Sequence, residues 1–118
     1  MPIASLRFSG IYTAEHRALL AQRKRHPTMR GTGALWSYID ARDAARACRL
    51  ALEADFAGHE PFNICAPDTI LAEPTGQVAA RFLPEVTSVH AGAGRWSGYA
   101  TAKAEAMLKF RAALLLNS

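Results

Sequence analysis

Apolar and polar residues along this chain fall into short blocks whose period changes several times. The stretch 3–12 is apolar-rich with β-branched and aromatic members, broken by Arg7 and the pair Ser9-Gly10, and predicts a short strand over 4–8 leading into a loop. Thr13 stands where a helix cap belongs, and Ala14, Ala18 and Leu19 space a helix that gives way to the basic run Arg23-Lys24-Arg25-His26. Two glycines and a proline make 27–34 a loop. Leu35-Trp36-Ser37-Tyr38-Ile39 then predicts a strand, with Asp40 placed to cap the helix that follows.

From Ala41 onward, Arg42, Arg46, Arg49 and Glu53 recur along one stripe at helical period, and Ala44, Ala45, Cys48, Ala51 and Leu52 occupy the opposite side. The expected inner face is therefore broad and built of small residues, which lets the helix axis approach a sheet closely. Gly58 ends it, Phe62 to Cys65 predicts a buried edge or near-edge strand, and Pro74 opens a helix that Pro84 stops. A brief strand is expected over 86–89. Gly92, Gly94 and Gly98 mark a loop, and Thr101 starts a last helix with Ala104, Met107 and Leu108 on one face. The run 112–118 lacks polar alternation and is expected to be a disordered or atypical tail.

The class that follows is α/β, with a strand-helix-strand unit across 35–65. An open two-sided sheet needs more central strands than this pattern supplies. Length points the same way, since 118 residues with 24 alanines permit one thin core and no two-domain enzyme. The longest apolar run is far short of the roughly 20 residues that cross a bilayer, and no secretory leader is recognisable, so the expectation is a cytoplasmic protein with no membrane partner. Cys48 and Cys65, on a helix and a strand, are expected to be buried free thiols.

Four segments carry a resemblance in their order and spacing: LRFSGIY at 6–12, LWSYIDARDAARACRLALEA at 35–54, PFNICAPD at 61–68 and YATAKAEAMLKF at 99–110. Across 3–111 the chain closely resembles the C-terminal portion of the NAD-dependent epimerase/dehydratase family, the extended short-chain dehydrogenase/reductases. The resemblance implies the C-terminal fragment of a doubly wound Rossmann-type fold with part of the substrate-binding lobe, over 1–111. It also implies that NAD or NADP serves the complete fold, with a sugar or related hydroxyl compound as small-molecule substrate. This chain alone is expected to bind no cofactor and to be inactive, because a dinucleotide site needs an early strand, a glycine-rich turn and a helix N-terminus, and neither Gly31-x-Gly33 nor Gly92-x-Gly94 is so placed. The implied partners are a nucleotide-holding N-terminal half or a second copy of the chain.

No catalytic residue is assigned. Tyr99 and Lys103 have the family's Tyr-x-x-x-Lys spacing, which sets a phenol and an ammonium one helical turn apart, but they lie in the segment resembling its terminal helix. Ser9, Tyr12 and Trp36 are the candidate substrate contacts. Where sugar-nucleotide members often carry an arginine and an asparagine, this chain has Trp36 and Gly10, so a guanidinium fork for a diphosphate is absent there. Arg7, Asp40 and Asp43 are read as structural, Asp43 matching the aspartate of the family's Asp-x-Ala-Arg-Ala-like helix. His16, His26, His59 and His90 are scattered, so no metal site is expected. The net charge of +4 and the run 23–26 come without a recognition module, so no nucleic-acid partner is expected. The competing reading is a noncatalytic binding or assembly protein that docks through an exposed sheet edge.

Overall fold

The computed structural model describes residues 1–25, 35–85 and 94–116. Among them the chain forms strands β1 (Ile3–Phe8) and β2 (Gly10–Tyr12), a 3₁₀ turn (Ala14–His16) and helix α1 (Arg17–Arg25). Strand β3 (Tyr38–Asp40), helix α2 (Ala41–Glu53) and strand β4 (His59–Ile64) follow, then helices α3 (Thr75–Phe82) and α4 (Ala102–Leu108). The strands pair in parallel, β1 with β4 from Ile3↔His59 to Phe8↔Ile64, and β2 with β3 from Gly10↔Tyr38 to Tyr12↔Asp40. Parallel pairing obliges the chain to cross over between partners, and α2 lies in the crossover from β1 to β4. The fold is mixed α/β with short parallel strands, as the periodicity predicts.

Two bonds knit the strand pairs together: Ser9 donates its N–H to the Ile64 carbonyl at 3.4 Å, and Ala66 donates to the Tyr38 carbonyl at 2.8 Å. The run β1-Ser9-β2 thus leaves β4 and passes to β3. Strand β4 pairs with no second strand among the described residues, and it carries Pro61, whose missing N–H suits an edge.

The apolar residues separate into two clusters. Ile39, Phe62, Ile64, Leu108 and Phe110 form the first with Ala44, Ala47 and Ala104, where α2 and α4 meet the strands. Small alanines at the contacts bring the helix axes close to the sheet, and full burial of Phe62 is worth about 2–3 kcal/mol. Leu20, Trp36, Tyr38, Ile70, Leu71 and Val78 form the second, beneath α1 and α3.

Helix α2 is rotated from the expected face. Asp43, Ala44 and Ala47 are buried and Leu50, Ala51 and Ala54 half-buried, whereas Ala45 and Cys48 are exposed and Leu52 is 88% exposed. The cause is Asp43: its carboxylate is held inside by polar partners, which turns the 43–47–50–54 side inward. Cys48 is accordingly an exposed thiol, not a buried one, while Cys65 is buried. The strand expected over 35–39 begins only at Tyr38, because Leu35 and Trp36 adopt left-handed backbone at φ +50° and +54°. Gly98, at φ +83°, closes against this turn, and a Cβ there would clash with Leu35 Cδ1.

The helix expected from Thr13 starts as the 3₁₀ turn, with the Thr13 N–H donating to His16 Nδ1 at 3.0 Å. Residues 112–116, expected to be a disordered or atypical tail, form neither helix nor strand, yet their backbone is bonded to Asp43 and Tyr38. The expected strand at 86–89, the glycines Gly31, Gly33 and Gly92, and His26 and His90 lie outside the described residues.

Candidate functional site

In parallel α/β sheets ligands gather beyond the carboxyl ends of the strands, where side chains of neighbouring strands and loops converge. At that end of the β1–β4 pair lies a cavity of about 590 Å³, lined by Arg7, Phe8, Ser9, Gly10, Asn63, Cys65 and Tyr99. The parallel register brings it together, since Arg7 stands opposite Asn63 and Phe8 opposite Ile64. Cys65 and Ser9 follow directly after their strands. The far wall is the turn at 97–101, anchored by Asn63 Nδ2 donating to the Ala100 carbonyl at 3.3 Å and by the Tyr99 N–H donating to Ser97 Oγ at 3.4 Å.

Polar residues of three kinds line this space: Ser9 and Tyr99 with hydroxyls, Asn63 with an amide and Arg7 with a guanidinium. Arg7 is exposed and makes no ion pair among the described residues. Burial pushes the Cys65 thiol up, only partly offset by hydrogen bonds from Ser97 and Ser9, so the sulfur stays protonated and is a weak nucleophile. Donors and one cation around a neutral thiol are equipped to bind a hydroxylated or anionic molecule. They do not form an acid–base pair.

The Tyr99–Lys103 pair does not act as a unit. Tyr99 precedes α4, and the Lys103 ammonium lies 2.6 Å from Glu60 Oε2 and 5.2 Å from the centre of the Phe62 ring. One helical turn therefore does not join the phenol to the amine.

The three candidate substrate contacts are dispersed. Ser9 lines the cavity just described, with Arg7 beside it. Tyr12 lines a different groove near α1, and its hydroxyl accepts a hydrogen bond from Arg23 at 3.0 Å. Trp36 is buried in the second cluster, 6.0 Å from the Phe82 ring. Asp40 caps α2, accepting the Arg42 N–H at 2.8 Å, and the Arg42 guanidinium holds its carboxyl below the usual range. Asp43 is 2% exposed; one oxygen accepts from Arg46 at 3.0 Å and the other from the N–H groups of Ala113 and Leu114, each at 2.9 Å.

The sequence pattern alone does not mark Asn63, Cys65 or Tyr99 as substrate contacts. Their signal lies in position: Asn63 and Cys65 sit at and just past the end of β4, beside Ser9 once β1 and β4 pair, whereas Tyr99 reaches the cavity from the turn at 97–101.

The chain's own strand-to-helix junction does not fit a dinucleotide. The one helix entered directly from a described strand is α2, and its N-terminus holds the carboxylates of Asp40 and Asp43 where a pyrophosphate would need bare amides. Among the described residues no three His, Cys, Asp or Glu side chains gather as metal ligands, and no helix is long and apolar enough to cross a membrane. Comparison of the chain with protein-family models, curated proteins and solved structures found no match.

Proposed function

We propose that this chain is the C-terminal, substrate-binding portion of an NAD(P)-dependent epimerase/dehydratase-like enzyme of the cytoplasm. In this reading it belongs to a doubly wound Rossmann-type fold and takes a sugar or related hydroxyl compound. The observation that carries the reading is the cavity at the carboxyl ends of the parallel β1–β4 pair, where Ser9, Asn63, Tyr99 and Arg7 converge. Hydroxyl, amide and guanidinium groups offer the donors and acceptors that a polyhydroxylated molecule needs. In this reading residues outside this chain hold the cofactor and transfer the proton.

The test is calorimetry and amide NMR on the chain with NAD, NADP and a panel of free sugars. The expected result is sugar-dependent shifts at Ser9, Asn63 and Tyr99 without micromolar affinity for either dinucleotide. Micromolar NAD or NADP binding, or sugar shifts confined to other residues, overturns the proposal.

A second reading, a noncatalytic protein that assembles through its sheet edge, draws support from the exposure of Ile3 (56%), Phe8 (36%) and Ile11 (46%) along β1 and β2. Light scattering separates the two: a monodisperse 12.8 kDa monomer with cooperative unfolding counts against assembly.

A further inference from the structure

A second cavity, of about 470 Å³, opens between α1, β3 and the segment 112–116, within the range of about 300–1,000 Å³ typical of small-molecule sites. Its composition is two-sided. Leu20 and Ile70 form an apolar floor, and Leu114 and Leu116 form a wall that leaves those two side chains 37% and 44% exposed. Along the rim stand Arg17 and Lys24, seven residues apart on α1 and so on one helical face. Among the described residues neither makes an ion pair, whereas Arg42, on the same rim, is committed to Asp40 at 2.9 Å. The leucine wall is set before any ligand arrives, because its backbone is fixed by the Asp43 carboxylate and by the Tyr38 hydroxyl, which accepts the Leu116 N–H at 3.0 Å.

We infer that this groove is a binding site for a small amphiphilic anion, a carboxylate on an apolar body. The head group meets Arg17 and Lys24, and the body covers Leu114 and Leu116 against Leu20 and Ile70. An inorganic anion would leave the leucines wet, and an uncharged apolar molecule would leave the two cations without a counter-charge. The site uses no residue of the Ser9–Asn63–Tyr99 cavity and does not depend on the epimerase/dehydratase reading.

Octanoate is a suitable probe, with octylammonium reversing the charge on the same tail and acetate supplying the charge without the tail. Calorimetry on the full chain is expected to detect octanoate, and amide NMR to locate it at Leu114 and Leu116. Octylammonium should bind at least about tenfold more weakly, acetate should not register, and raising KCl from about 50 to about 500 mM should weaken octanoate binding. The double substitution Arg17→Gln with Lys24→Gln should cost about tenfold in octanoate affinity, while Arg17→Lys with Lys24→Arg retains it. Equal binding of octanoate and octylammonium, shifts that avoid Leu114 and Leu116, or salt-independent affinity overturns the assignment. The salt and charge-reversal arms need no variant, so they decide the matter even if the substitutions alter folding.

Discussion

The carboxylate of Asp43, on the first turn of α2, accepts the backbone N–H of Leu114 at 2.9 Å, a bond between residues 71 positions apart. The same oxygen takes the Ala113 N–H, and the other takes Arg46, whose guanidinium also lies 4.8 Å from the centre of the Phe110 ring. One buried acid thus joins α2 to the chain beyond α4. Asp43→Ala strands two amide donors and leaves the half-buried Arg46 guanidinium with the Arg111 carbonyl but no counter-charge, and it should lower unfolding free energy by about 2–4 kcal/mol in urea titrations. A loss under about 0.5 kcal/mol would mean that the clasp carries no stability.

Tyr38 provides the second tie. Its hydroxyl donates to Asp68 Oδ1 at 2.6 Å and accepts the Leu116 N–H, and burial, reinforced by the Asp68 hydrogen bond, pushes the phenol well above its ordinary value. The fold therefore holds the neutral phenol. An unfolded tyrosine ionises near about pH 10, so its contribution is complete below that pH and is lost as pH rises from there through the folded value. Alkaline unfolding should steepen above about pH 10 by as much as about 1.4 kcal/mol per pH unit from this group. Tyr38→Phe should cost about 1 kcal/mol at neutral pH and remove that extra alkaline slope. Identical alkaline limbs for the two proteins would show that Tyr38 does not control it.

The local elements were legible wherever spacing and caps agree. Asp40 before α2, Pro74 before α3 and Thr101 before α4 mark real helix starts, and the strand expected over 4–8 lies within β1. What the pattern did not disclose are consequences of distant partners. The rotation of α2 follows from Asp43 meeting amides some 70 residues away, and no window of ten or fifteen residues contains that information. Trp36 reads as strand from its aromatic neighbours, but the left-handed backbone at 35–36 is decided by packing against Gly98 and burial beside Phe82. The site was half legible for the same reason: Arg7 and Ser9 stand at a recognisable strand end, while Asn63, Cys65 and Tyr99 join them only through parallel pairing and the turn at 97–101.

The rotation of α2 makes neighbouring alanines opposite in consequence. Ala47 is 0% exposed in the first cluster, and a guanidinium there has no polar partner to replace water, so Ala47→Arg should cost at least about 3 kcal/mol. Ala45 faces outward, and Ala45→Arg should stay within about 0.5 kcal/mol of the parent protein. Thermal melts of the two variants check the orientation, and a reversed ranking would return the inner face to the one expected from the periodicity.

The two thiols offer a test of the cavity's wall that leaves the protein unmutated. Cys48 is exposed on the outer side of α2, so a soluble maleimide reaches it without any opening of the fold. Cys65 is 4% exposed, its sulfur lies 3.8 Å from Ser97 Oγ, and burial raises its pKa, which lowers both access and the fraction present as thiolate. Mass-resolved labelling at neutral pH should therefore show Cys48 reacting at least about tenfold faster than Cys65. Mild urea below the unfolding midpoint should accelerate Cys65 selectively if the turn at 97–101 opens locally before the chain unfolds. Comparable rates in native buffer would mean that Cys65 is not shielded by Ser9 and Ser97, and the polar cavity at the carboxyl ends of β1 and β4 would lose its closed wall.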